Sequence, residues 1–436
     1  MSKTIFALST ASGFSGVAVI RISGEKALVC LEKLCHFKNP EPRKAYLRAV
    51  YKDGKKIDEA LVLYFKAPCS FTGEDCVEIQ CHGSRAVIKQ ILEVLGTLEN
   101  VRMAEKGEFT RQALFNGKMD LTAAEGLIDL IHSETEAQAS WAVRQMGGEL
   151  KKIYDAWRDE LKYALAYIEA YIDFPEEEIP EEELEKVNKK IYNVITLIKE
   201  HLKGSGRGKA LKEGILFAIV GAPNVGKSSL LNALAQKEVA IVNQKAGTTR
   251  DILETYLNIE GYPVILADTA GLRETEEEIE KEGIRRALRK ADEADFVLVV
   301  EDGELYPKTQ SETYIKDIDE HKIIRIWNKK DKMPSSTDVF KISAKTGDGL
   351  DDLFKILSEK TVDFMGNSED VMLTRERYKE SLDKCHTFLK ESLKEEEVEL
   401  KAESLRLASK ELGKITGQIQ INELLDVIFS EFCIGK

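Results

Sequence analysis

An apolar run, ILFAIV at 215–220, leads directly into GAPNVGKS at 221–228, and this junction restricts the chain more than any other segment. A strand that feeds a glycine-bearing turn opening a helix is a phosphate cradle. Its glycines let backbone N–H groups close on phosphate oxygens, Lys227 reaches the β and γ oxygens, and the Ser228 hydroxyl ligates Mg²⁺. The helix behind the loop adds exposed N–H donors and the positive end of its dipole. Asn224, Val225, Gly226 and Ser229 complete the segment expected around the phosphates. In an open parallel sheet, ligands bind outside the carboxyl ends of the strands, so further motifs belonging to this site must sit at strand ends.

Three do. DTAG at 268–271 follows an expected strand at 264–267, NKKD at 328–331 follows one at 323–327, and SAK at 343–345 follows one at 339–342. The ordered set resembles the GTPase branch of the P-loop fold, and the resemblance implies individual roles. Asp331 accepts from guanine N1 and N2, Asn328 meets N7 and O6 with Lys329 beside it, and the backbone of Ala344, between Ser343 and Lys345, donates to O6. Adenine presents the reverse pattern to that carboxylate, so guanine is expected to win by orders of magnitude. Between the first two motifs, KAGTTRD at 245–251 is a polar stretch of the kind that wraps a γ-phosphate and lets go on hydrolysis. Thr249 is the expected second Mg²⁺ hydroxyl, Asp268 the carboxylate that holds the metal directly or through its hydration shell, and Thr269, Ala270 and Gly271 are expected to bind the nucleotide too.

One position departs from the Ras-like pattern. Where a glutamine orients the attacking water, this chain has Leu272, whose side chain cannot hydrogen-bond. Asn224 matches the position that ligates potassium in potassium-dependent relatives, and Asn243, Lys245 and Thr248 are expected to complete that coordination. A monovalent cation against the phosphates then stands in for an arginine finger, a group worth on the order of 10³ to 10⁵ in rate. Glu280 is the expected water-positioning group, which makes Lys227, Thr249 and Glu280 the catalytic set. Beyond it, Lys281, Arg285 and Arg289 recur at four-residue spacing as a basic stripe.

A chain of 436 residues exceeds one ordinary core. The nucleotide motifs account for residues 212–364, preceded by GSGRG at 204–208, which reads as a linker. Amphipathic helical patterns flank this unit at 119–211, including 160–172 and a second helix opened by Pro180, and again at 365–436. The expected architecture is therefore multidomain: an α+β unit at 1–118, and an all-α domain in two parts with an α/β P-loop GTPase domain inserted between them. Apolar residues at 43% and charged residues at 32% fit a folded, soluble chain. No apolar run reaches a membrane span, and the Ser, Thr and Gly of residues 9–16 break the apolar start into strand, turn and strand, which is unlike a signal peptide. Seven cysteines without a CxxC pair fit a reducing cytoplasm. Cys76 and Cys81 fall on opposite faces if 76–81 is one strand, which argues against a metal pair. A net charge of −13 lacks the global positive field of a stand-alone RNA binder.

APCSFTGEDCVEIQCHG at 67–83, GEFTRQALFNGKMDLTAAE at 107–125 and the terminal FCIGK, with the inserted GTPase unit, resemble the MnmE (TrmE) family of tRNA modification GTPases across the whole chain. The resemblance implies a potassium-stimulated GTPase that forms a homodimer and acts with the flavoprotein MnmG, as a heterotetramer, on carbon 5 of the wobble uridine of tRNA. A 5-formyl- or methylene-tetrahydrofolate is the implied one-carbon donor, with FAD and NADH on the partner. Four positions of the family's folate site map to Arg21, Glu78, Lys118 and Lys436. The competing reading is a GTP-dependent switch or ribosome-assembly GTPase without a part in modification chemistry.

Overall fold

The computed structural model describes residues 4–173, 181–236, 254–268, 289–309, 311–316, 318–333, 337–366, 372–418, 425 and 428–436. Two compact units emerge, one built from Met1–Ile128, Arg144–Val187 and Glu391–Lys436, the other from Asp129–Val143 and Asn188–Lys390.

The first unit is organised by a six-stranded sheet, β1 (Thr4–Leu8), β2 (Ser15–Ser23), β3 (Tyr46–Lys52), β4 (Lys55–Phe65), β5 (Cys76–Gly83) and β6 (Val101–Met103), in the order β3-β4-β5-β2-β1-β6. Period-two alternation sends Ile20 and Ile22 into a core shared with helices α1 (Ala27–Cys35) and α2 (Arg85–Gly96). Arg21 and its register partner Glu78 face the opposite side, where Ile5, Ala7 and Ala104 pack with Phe109 of α3 (Glu108–Phe115). Cys81 lies in the helix-side core, while the Cys76 thiol is 3.2 Å from the Thr72 hydroxyl, so the two thiols separate as strand geometry requires.

Helix α4 (Leu121–Ile131) buries Leu121 and Ile128 against Leu425, Ile428, Phe429 and Phe432, which ties the end of the chain to this unit. After α5 (Glu136–Met146), the 25-residue α6 (Glu149–Asp173) buries Leu150, Tyr154, Trp157, Leu161, Ala164 and Ile168, the three- and four-residue recurrence of a core-facing stripe. The helix predicted over 160–172 is thus the latter half of a longer one, and the next helix, α7, runs Glu181–Lys203.

In the second unit, GSGRG is not a free linker. Helix α8 (Ser205–Glu213) takes up most of it, and a Cβ at Gly208 would lie 2.0 Å from the Leu373 carbonyl oxygen. Glycine at 208 permits this close backbone approach; composition alone does not separate that use from flexibility. The unit then builds a five-stranded sheet from β7 (Ile215–Val220), β8 (Glu254–Ile259), β9 (Tyr262–Asp268), β10 (Phe296–Asp302) and β11 (Ile323–Asn328), ordered β11-β10-β7-β9-β8 and parallel except for β8. Helices α9 (Lys227–Ala235) and α10 (Leu350–Met365) belong to this nucleotide unit, and α11 (Glu376–Ser392) follows. The final long helix, α12 (Val398–Thr416), returns to the first unit, where Arg406 pairs with Glu169 of α6 at 3.0 Å. Instead of a strand at 339–342, the structure has a single bridge from Trp327 to Lys341. No helix among the described residues is long and apolar enough to cross a membrane.

Candidate nucleotide and one-carbon sites

β7 is the central strand, with β9 on one side and β10 on the other, so the chain leaves its carboxyl end at the point where strand order reverses. Buried Ile219 and Val220 carry the backbone to Gly221, where a Cβ would lie 2.3 Å from the Val300 carbonyl oxygen. Asn224 and Gly226 hold positive φ at 63° and 96°, curling the loop until α9 starts at Lys227. The Lys227 side chain is 6% exposed and donates to the carbonyls of Gly221 and Ala222 at 2.8 and 2.9 Å. Burial lowers its pKa, opposed by the charge of Asp268. An ammonium anchored to its own loop in this way is already directed into the turn before any phosphate arrives.

Ser228 Oγ donates to Asp268 Oδ2 at 2.6 Å, with Asp268 fully buried at the end of β9. One hydroxyl and one carboxylate at a phosphate loop form a hard-oxygen pair suited to Mg²⁺. Thr249, Asn243, Lys245, Thr248, Thr269, Ala270, Gly271, Leu272 and Glu280 lie outside the described residues, as do Lys281 and Arg285 of the basic stripe. Ser229 is exposed as the third residue of α9, and Val225 is buried beneath the loop.

The base end shows an arrangement that motif reasoning missed. Asn328, 4% exposed, donates from Nδ2 to the Val225 carbonyl at 2.8 Å and accepts from the Ala344 N–H at 3.0 Å. It therefore ties the phosphate loop to the SAK loop. A primary amide has two N–H groups and two acceptor lone pairs, so one of each remains beyond these bonds for guanine. The Ala344 N–H expected at O6 is donated to Asn328 here. Ser343 Oγ donates to Asp331 Oδ1 at 2.8 Å, and this hydrogen bond is the main cause that holds the Asp331 carboxyl below its ordinary pKa. Lys329 is drawn to Asp302 at 2.6 Å and Glu304 at 3.5 Å, while Lys345 is exposed. The signal for Asp302 was present as an acid ending the apolar run of β10, in register with Asn328.

In the first unit, Arg21 and Glu78 meet at 2.9 Å, and the Arg21 guanidinium stands 5.1 Å from the Phe71 ring centroid and 5.8 Å from that of Phe109. Lys118 Nζ donates to the Pro68 carbonyl at 2.9 Å and so rests on the loop that carries Phe71. Lys436 ends a tail held at several points: Ser9 Oγ donates to the Gly435 carbonyl at 3.0 Å, Ile434 bridges Lys106, and Gly107 N–H donates to the Cys433 carbonyl at 3.4 Å. Cys433 is exposed, although it lies between the apolar Phe432 and Ile434. A cation, a carboxylate and two aromatic faces in one place suit a flat heterocycle bearing acids. Phe71 and Phe109 were not singled out from sequence, because their convergence on Arg21 depends on the sheet.

Two family models match: GTP-binding protein TrmE N-terminus over residues 4–118 and MnmE helical domain over residues 121–433. The tRNA modification GTPase MnmE of Parvibaculum lavamentivorans is 47% identical, with all of both chains covered. That of Rickettsia canadensis is 44% identical, again over the full length of both. Among solved structures, a single-residue variant of Aquifex aeolicus Era bound to GDP.AlF4- aligns with 40% of this chain and 66% of its own, at 27% identity and a TM-score of 0.28.

Proposed function

The chain belongs to the MnmE family of tRNA modification GTPases, and on that premise we propose that its GTP turnover serves modification of carbon 5 of the tRNA wobble uridine. The full-length match to the MnmE of Parvibaculum lavamentivorans carries this reading, and the Ser228–Asp268 oxygen pair beside Lys227 supports it. Lys227 holds the β and γ phosphates. Ser228 and Thr249 ligate Mg²⁺, with Asp268 behind them, and Asp331 selects guanine. A tetrahydrofolate one-carbon donor is held by Arg21, Glu78, Lys118 and Lys436, and the chain acts as a homodimer with the flavoprotein MnmG, which brings FAD and NADH. Membership of this family disfavours a switch or ribosome-assembly role without modification chemistry. Mass spectrometry of wobble nucleosides from cells lacking the chain is expected to show unmodified uridine at that position; a full complement of modified nucleoside would refute the reading.

Asn224 sits at the crest of the phosphate loop with positive φ, and its side-chain carbonyl is a neutral oxygen donor for a monovalent cation. With Leu272 unable to orient water, we assign Asn224, Asn243, Lys245 and Thr248 to K⁺ and the water-positioning role to Glu280. Hydrolysis is expected to run at least about tenfold faster in KCl than in NaCl at equal ionic strength, a modest part of what an arginine finger supplies. Equal rates in the two salts would remove the assignment.

A further inference from the structure

The net charge of −13 conceals a strong asymmetry. Residues 1–118 carry 18 lysines and arginines against 13 acids, a net +5, so residues 119–436 carry −18. Within the first part the cations gather: residues 33–56 hold eight lysines and arginines against Glu41 and Asp53. This stretch forms the end of α1, the connection after it, and β3, which is the edge strand of the sheet, with the turn into β4. Lys52 and Lys55 are direct cross-strand partners beside Tyr51 and Lys56. Like charges set opposite one another oppose pairing; Glu93 answers Lys52 at 2.5 Å, and Lys55 is the cation at this hairpin end that a further anion can meet.

Aromatic rings are interleaved with the cations. The Arg48 guanidinium lies 4.1 Å from the Phe37 centroid and 5.3 Å from that of Tyr46, with Lys44 5.6 Å from the same tyrosine ring. His36 stands 4.9 Å from Tyr51. Apart from exposed His36, these rings are half-buried, which fixes them and still leaves part of each in solvent. Lys55 and Arg48 have no carboxylate partner among the described residues, and the pairs Lys44–Glu41 and Lys56–Glu59 are solvent-exposed, a class of ion pair that contributes little and yields readily to a phosphate.

We propose that this basic, aromatic edge of the first unit is a docking surface for the sugar-phosphate backbone of tRNA, with the rings available to an unstacked base. The proposal deepens the reading of tRNA as substrate and rests on it. Rings beside cations favour nucleic acid over an anionic membrane, since base stacking on aromatic side chains adds to phosphate contact. A basic edge on an otherwise acidic chain also steers a polyanion toward that edge.

The test uses the full chain with Lys44, Lys55 and Lys56 all replaced by Gln, positions exposed enough for the fold to persist, checked by an unchanged unfolding midpoint. At about 0.1 M salt the tRNA dissociation constant is expected to rise by roughly tenfold or more, and the slope of log affinity against log salt to shrink by about 2 to 3. The same neutralisation at Lys355, Lys379 and Lys384, in the other unit, is expected to change neither. Equal weakening by both triple variants would mark a net-charge effect and overturn the proposal. Unaltered tRNA binding by the first variant would overturn it alone, as would a loss confined to phosphatidylserine vesicles. A wild-type chain that hydrolyses GTP and never binds tRNA would overturn the substrate reading as well.

Discussion

Deleting residues 433–436 is expected to abolish tRNA modification while leaving GTP affinity and hydrolysis within about twofold of the intact chain. The tail is built into the first unit. Gly435 has φ +101°, and a Cβ there would fall 2.2 Å from the Leu8 carbonyl oxygen, so the backbone seats against β1 where only glycine fits. β1 pairs with β2 through Ala7 opposite Arg21, and Gly107, which binds the Cys433 carbonyl, directly precedes the helix that carries Phe109 toward Arg21. Losing the tail removes Lys436 from the proposed folate site and unpins the turn before α3. Misplacing reacting groups by about 1 Å can cost on the order of a hundredfold, and here a binding cation goes too. Gly435→Ala is the gentler version, with strain at positive φ added to the clash. Nucleoside mass spectrometry and a fluorescent GTP analogue read the two activities separately. Modification that survives the deletion would show that the terminal residues lie outside the one-carbon site.

What the sequence disclosed followed from how locally each feature is encoded. The phosphate loop was legible because its chemistry fixes residue type and spacing within eight positions, and its strand and helix lie on either side. The strand that carries Arg21 was legible because the Ser, Thr and Gly of residues 9–16 set off the apolar segment that follows them. Two kinds of feature were not. Gly208 looked like flexibility because a glycine that admits Leu373 and a glycine that loosens a linker are written identically. Asn328 looked like a base contact only, since its bonds to Val225 and Ala344 join positions 103 and 16 residues away. The same distance in sequence hid the aromatic pair around Arg21: Phe71 arrives from the loop before β5 and Phe109 from α3. Motifs report which chemistry is present; the struts that hold the motifs together come from packing.

Asp331→Asn should convert the nucleotide preference from guanine to xanthine. In the native chain Ser343 Oγ donates to Asp331 Oδ1 and so orients the carboxylate, leaving acceptor capacity for the N1 and N2 hydrogens of guanine. Replacing one carboxylate oxygen by an amide forces a choice of orientation. The serine hydroxyl selects the amide oxygen as its acceptor, which turns the NH₂ toward the base. Guanine then presents a donor to a donor at position 2, whereas xanthine carries a carbonyl there and accepts. GTP affinity is expected to fall on the order of a hundredfold, as loss and reversal of a two-point base contact implies, with a comparable gain for XTP and none for ATP. Hydrolysis at saturating XTP should approach the native rate with GTP, because Lys227, Ser228 and Asp268 are untouched and Asn328 still spans the two loops. Competition of GTP, XTP and ATP against a labelled nucleotide measures all three affinities in one experiment. If GTP binding is unchanged in the variant, Asp331 does not read the base; if XTP gains nothing while GTP is lost, the carboxylate holds the loop in shape and selection lies elsewhere.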